Sequence, residues 1–235
     1  MTIIAPMDER SNERQQEGWF YEYSVAEEIA HAVSHGIGIP LSIAALVLLV
    51  TFSALYGNVW HVVSTAIYGV TLILLFTAST LYHGIPHEKA KPILQKLDHA
   101  AIFLLIAGTY TPFTLVTLGG SAWGWTLFGI VWGTAVVGIW IELGNNRKLQ
   151  RWSLLLYLLM GWVVVLAMKP LLANLASGGL WLLLAGGLAY TLGAAIYAWE
   201  RLHWNHAIWH LFVLAGSILH FLAIFFYVVP NGGPW

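Results

Sequence analysis

Long apolar runs separated by short polar segments make up most of the chain beyond residue 24. Seven runs approach or exceed the roughly 20 residues with which an α-helix crosses a bilayer. They cover residues 29–55, 59–82, 98–118, 123–143, 152–168, 180–199 and 207–229. Membrane-spanning β-strands would be about half as long and would alternate in polarity. The pattern therefore predicts an all-α integral membrane protein, a bundle of seven transmembrane helices.

The remaining polar segments are short, apart from the one at the N-terminus. Residues 1–24 are polar and mixed in charge, and they lack the compact apolar core of a signal peptide. We expect them to form a polar cytoplasmic tail that stays on the protein. Residues 25–235 are expected to form a single seven-helix membrane domain, because the other connections are too short for a second domain.

Composition supports a membrane protein and excludes several alternatives. The chain is 59% hydrophobic and 9% charged, with a mean hydropathy of +0.73, whereas soluble domains are about 25% charged. A net charge of −1 argues against nucleic acid as a partner, because such binding needs a basic surface. Cysteine is absent, so imidazole, carboxylate or hydroxyl groups would have to hold any metal.

The lysines and arginines indicate an orientation. With seven helices, nine of the ten basic residues fall on one side of the membrane and only Lys169 falls on the other. Because cytoplasmic loops carry the excess of positive charge, we expect a cytoplasmic N-terminus. The C-terminus should then be periplasmic or extracellular.

Two details concern helix packing. Pro112 lacks a backbone N–H and should kink the third helix, where the hydroxyls of Thr109 and Thr111 could help satisfy the carbonyl that it frees. Gly129 and Gly133 form a small-xxx-small spacing, which predicts close approach of the fourth helix to a neighbour.

Polar residues within the apolar runs gather at the cytoplasmic ends of three helices. Ser79 and His83 lie one turn apart at the end of the second helix, and Asp98 opens the third. His206 and His210 open the seventh, on one face because they are four residues apart. The topology therefore brings three histidines, a carboxylate and a hydroxyl to one level of the membrane.

These residue types together predict a zinc site. Three imidazoles with an open fourth position are typical of catalytic zinc, which lowers the pKa of its bound water to about 7. Asp98 would orient that water or take its proton, and Ser79 would hold the water or a developing oxyanion. Alternatively, these are interfacial histidines solvated at helix ends, with Asp98 as a partner of the helix dipole.

Other histidines fit the group less well. His220 follows His210 by ten residues, about 15 Å along a helix, so packing or a hydrogen bond is its expected role. His99 should face away from Asp98. His31 and His35 lie one turn apart on the first helix, from which His35 could support the site.

Five stretches add a family resemblance. In chain order they are AEEIAHAVSHGIG, STLYHGIPHEKAK, LDHAAIFLLIAGTYTPF, MGW and NHAIWHLFVLAGSILHF. Together they resemble the progestin and adipoQ receptor family, specifically its bacterial haemolysin-III-like branch. The resemblance implies seven helices in the bacterial inner membrane and a zinc ion near the cytoplasmic face. It assigns the zinc ligands to His83, His206 and His210, with Ser79 and Asp98 beside them.

The resemblance also suggests an activity. The serine, aspartate and three-histidine pattern is similar to that of alkaline ceramidases, which hydrolyse a lipid amide. This implies zinc-dependent hydrolysis of an amide or ester bond in a membrane lipid, serving lipid homeostasis. The alternative is a non-enzymatic receptor- or sensor-like protein, or a haemolysin-type cytolytic protein, with structural zinc. His31 departs from the family pattern, because relatives often carry asparagine there.

Overall fold

The computed structural model describes residues 23–232, so residues 1–22 of the predicted tail lie outside the described part. Within that part, all regular elements are helical, and seven helices are long and apolar enough to cross a membrane. They are α1 (Val25–Tyr56), α2 (Val59–Gly84), α3 (Lys91–Thr117), α4 (Ala122–Leu143), α5 (Ser153–Asn174), α6 (Ser177–Tyr197) and α7 (Asn205–Tyr227). The predicted seven-helix membrane fold is confirmed.

Polar residues cap the starts of the first two helices, and α1 begins four residues before its apolar run. Ser24, which the sequence places in the tail, accepts a hydrogen bond from the backbone N–H of Glu27, and the Glu27 carboxylate accepts one from the Ser24 N–H. Asn58 caps α2 by accepting a bond from the N–H of Trp60. Such caps satisfy backbone donors that the first helical turn leaves free.

The third helix begins earlier than its apolar run. It starts at Lys91, with Pro92 in the first turn, where the missing N–H has no helical partner to lose. Asp98 therefore lies about two turns inside α3 rather than opening it as the sequence suggested. This places its carboxylate within the bundle, where it is buried.

At Pro112, where the sequence predicted a kink, the helix changes from α-helical to π-helical. The α-helical part of α3 ends at Pro112 and continues as a π-helix over Phe113–Thr117. The hydroxyls of Thr109 and Thr111 each donate to a carbonyl four residues earlier, at 2.8 Å. These acceptors are the carbonyls of Leu105 and Ala107, and not that of Gly108, which loses its α-helical donor at Pro112.

The helices pack in chain order around the bundle. α1 packs along α2, α2 along α3 and α3 along α4, while α6 packs with α7 and α7 returns to α1. The contact of α7 with both α1 and α6 brings the start of α7 beside the start of α1. The end of α2 and the start of α3 lie at the same end of the bundle.

The close approach in α4 is at a different glycine from those predicted. A Cβ on Gly138 would lie 2.3 Å from the Phe103 ring of α3. A Cβ on Gly129 or Gly133 would meet no other atom within 4 Å. The expectation for Gly129 and Gly133 was therefore wrong, because spacing alone does not identify the face that meets a neighbour.

Candidate metal centre

Three buried histidines meet at one end of the bundle. His83 lies in the last turn of α2, and His206 and His210 lie in the first two turns of α7. One ring nitrogen from each lies within 4.8 Å of the other two, so this group could hold a metal ion. The α-helical spacing of His206 and His210 puts both on one face, turned toward the end of α2. The predicted grouping of these histidines is present in the structure.

Outer partners orient two of the rings through their Nδ1 atoms. His83 donates from Nδ1 to Glu28 Oε2 at 2.7 Å, and His210 contacts the backbone carbonyl of His31 through Nδ1 at 3.2 Å. An imidazole that carries its proton on Nδ1 has a lone pair on Nε2 for a metal. The Nε2 atom of His83 is buried without a hydrogen-bond partner, which fits that role.

Tyr23, which lies just before α1, is the Nδ1 partner of the third histidine. Its hydroxyl lies 2.7 Å from Nδ1 of His206, and its ring meets that of His31 edge-on at 4.7 Å. The sequence placed Tyr23 in the polar tail, so its part in the site was missed. An aromatic side chain directly before the first helix cap was the available signal.

Glu28 connects the histidine group to α3. While one carboxylate oxygen accepts the bond from His83, the other accepts a bond from Lys91 Nζ at 2.6 Å. Together Glu28, His31 and His83 form a second group whose ligand atoms lie within 4.8 Å of one another. Glu28 lies one turn before His31 along α1, and this spacing alone does not reveal its contacts with α2 and α3.

Ser79 and Asp98 lie next to the histidines but in neither of the two potential ligand groups. Ser79 Oγ is 2.7 Å from Nδ1 of His35 on α1. His35 stacks on His210 with 3.6 Å between ring centres. His35 therefore contacts two residues of the predicted site, as a supporting residue would.

A neighbouring polar cluster joins α3, α4 and α5. His99 faces Glu142, with 3.5 Å between Nδ1 and Oε2, and Ser153 donates to the same carboxylate. His99 thus faces Glu142 and not the group of His83, His206 and His210, as expected. His220 lies deeper, where its Nε2 atom contacts the carbonyl of Leu183 at 3.2 Å.

A cavity of about 680 Å³ opens beside the histidines. Ser79, Asp98, His206 and His210 lie on its wall. Apolar side chains from four helices also line it: Leu75, Ile102, Leu105, Leu154, Leu158 and Val213. The volume falls within the range of about 300–1,000 Å³ that is common for small-molecule sites. The polar groups are therefore in contact with a space that an apolar ligand could enter.

The fold and the site define a multi-pass membrane protein with a buried histidine group that could hold a metal ion at one end of its helix bundle. The chain belongs to the haemolysin-III-related family, whose model matches residues 23–221. This confirms the family expected from the five stretches.

Named relatives lie at two distances. Hemolysin-3 of Bacillus cereus is 50% identical over 207 residues, which cover 88% of this chain and 94% of that protein. Hemolysin-3 homolog of Bacillus subtilis (strain 168) is 47% identical over 207 residues, covering 88% of this chain and 97% of that protein. The human monocyte to macrophage differentiation factor is 29% identical over 227 residues, covering 92% of this chain and 91% of that protein.

Proposed function

We propose that this chain is a zinc-binding protein of the bacterial inner membrane that hydrolyses an amide or ester bond in a membrane lipid. The observation that carries the proposal is the group of His83, His206 and His210 beside Asp98 and Ser79, next to a cavity with apolar walls. An all-imidazole ligand set suits zinc, and three histidines are typical of its catalytic sites.

The chain supplies the groups that such a hydrolysis needs. Zinc, when bound, would polarise a carbonyl oxygen and make water a nucleophile at neutral pH. The Asp98 carboxylate would accept the proton that the attacking water loses. A bond donated by His35 Nδ1 to Ser79 would leave the Ser79 hydroxyl proton free to stabilise the oxyanion.

The surroundings favour a lipid as the substrate. The apolar side chains of Leu75, Leu105 and Val213 would hold an acyl chain, while the carbonyl would lie near Asp98. Lys96, Arg147 and Arg151 line the same cavity. By the positive-inside rule, we place this end of the bundle at the cytoplasmic face, so substrates would come from the inner leaflet.

The substitution Asp98→Asn tests the proposal with little change in side-chain size. Asp98 belongs to neither potential ligand group, so the variant should keep zinc at the wild-type level. Loss of a general base should reduce lipid turnover by about 10²–10⁴-fold. Zinc per chain is measured by elemental analysis, and turnover by fatty acid released from labelled lipid amides and esters. His206→Ala is the control that should lose both zinc and turnover.

Wild-type turnover in Asp98→Asn would remove the assigned role of that carboxylate. Zinc bound to a wild-type protein that releases no fatty acid would favour the alternative, a receptor-like or cytolytic protein with structural zinc. The name of the Bacillus cereus relative, Hemolysin-3, is the observation in favour of cytolysis. Dye release from lipid vesicles containing the purified protein separates a cytolytic protein from a receptor.

A further inference from the structure

His31 lies among the three proposed ligands, although the family resemblance does not assign it as a ligand. Its side chain is fully buried, at 0% exposure, and neither of its ring nitrogens has a hydrogen-bond partner. Leaving a buried polar group unpaired costs about 1–3 kcal/mol, so a histidine in this position is expected to have a ligand.

The ring centres of His31, His83, His206 and His210 lie at the corners of a nearly regular tetrahedron. The centre of the His31 ring lies 4.6 Å from those of His83 and His206 and 5.2 Å from that of His210. The other three centres lie 4.7, 5.0 and 5.1 Å from one another. A zinc–nitrogen bond of about 2.0–2.1 Å puts each ring centre roughly 3.2 Å from the metal, hence centres about 5.2 Å apart in a tetrahedral site. The ring centres are close to that spacing, whereas the ring nitrogens of His31 are not oriented to join the group of His83, His206 and His210.

The second potential ligand group does not offer His31 another metal. Glu28 would have to bind that ion, yet one of its oxygens already accepts a bond from His83 and the other from Lys91. An ammonium 2.6 Å from the carboxylate also opposes a second divalent cation there. A metal ion held by His83, His206 and His210 is therefore the one that His31 would bind.

We infer that His31 is a fourth imidazole ligand of the proposed metal ion. Rotation about its Cβ–Cγ bond, a torsion with a broad energy profile, would turn a nitrogen toward the common centre while the ring stays in place. His31 is not among the residues that line the cavity, so it would bind from the side away from the substrate. Four imidazoles would fill a tetrahedral site, so the attacking water of the proposed hydrolysis would need a fifth position on the metal or the release of one imidazole.

This inference rests on the zinc site of the proposed function, and counting ligands tests it. Zinc-edge X-ray absorption of the detergent-purified full chain should give four imidazoles in the wild type and three in His31→Asn. The matched control is His220→Asn, which removes a buried histidine of α7 that is not one of the four proposed ligands, and it should keep four. In a competition titration, His31→Asn should bind zinc at least about tenfold more weakly, because removal of an outer partner alone costs that much.

Three imidazoles in the wild type would overturn the role of His31 and leave the proposed function in place. This count decides the matter even if His31→Asn fails to fold. A wild-type protein that binds no zinc would overturn both. Four imidazoles in the wild type, with the same count in His31→Asn, would also overturn the role of His31, because another group would then supply the fourth ligand.

Discussion

Glu28 offers a sharp test of how the site is held, because it contacts His83 without belonging to the His83–His206–His210 group. The substitution Glu28→Gln keeps the shape of the side chain but replaces a charged acceptor by a neutral amide. The 2.7 Å bond from His83 Nδ1 then loses its ionic character. We expect weaker zinc binding, because a carboxylate partner makes a ligating imidazole more basic and fixes its orientation.

The size of the effect follows from the contact. A hydrogen bond to a charged group contributes about 1.5–3 kcal/mol and a neutral one about 0.5–1.5 kcal/mol. The difference of about 1–1.5 kcal/mol corresponds to roughly a tenfold change in affinity. The Glu28 side chain is 21% exposed, so solvent screening places the loss near the lower end of the 10–100-fold range seen for such partners.

The assay is a zinc competition titration with a chelating fluorophore. Glu27→Gln is the matched control: it removes the same charge one residue away, where the side chain caps α1 through Ser24 instead of contacting His83. Glutamine also serves in a capping box, so the control should stay within about twofold of the wild type. Equal losses in the two variants would refute the argument from the contact and leave only a general charge effect.

Two further predictions concern stability. Removing zinc with a chelator should lower the thermal midpoint by several degrees, because a ligand present at about 1,000 times its Kd stabilises the folded state by roughly 4 kcal/mol. Differential scanning fluorimetry in detergent measures this midpoint, and an unchanged value would contradict the prediction. Gly138→Ala should destabilise the bundle by about 1–3 kcal/mol, because its Cβ would lie 2.3 Å from the Phe103 ring. Gly129→Ala on the same helix places its Cβ in open space and should not destabilise the bundle. Equal denaturation midpoints for the two variants would refute the packing argument.

The sequence predicted those features that depend on local composition and on chain direction. Apolar length identifies a membrane helix, because a bilayer fixes how many residues must be apolar. Alternating direction then places the end of α2 and the starts of α3 and α7 at one level. His83, His206 and His210 could be grouped on that basis alone.

Features that depend on the rotation of a helix about its axis were not predicted. Nothing in the sequence distinguishes the face of Gly129 from that of Gly138, and only the packing of α3 on α4 selects the latter. His31 and His35 lie one turn apart, yet the His31 ring packs against that of His83 while the His35 ring stacks on that of His210. Their separate contacts follow from the way α1 packs against α2 and α7.

The buried ring nitrogens that lack hydrogen-bond partners give the strongest physical argument for a ligand at this site. His31 has two buried ring nitrogens without a partner, and His35 and His83 each have one. At about 1–3 kcal/mol for each unpaired group, together they would consume much of the stability of a typical domain, about 5–15 kcal/mol. A metal ion that accepts lone pairs from His31 and His83 would remove part of that cost at once. The same reasoning explains why chelation should lower the thermal midpoint, and why the site should bind its metal tightly.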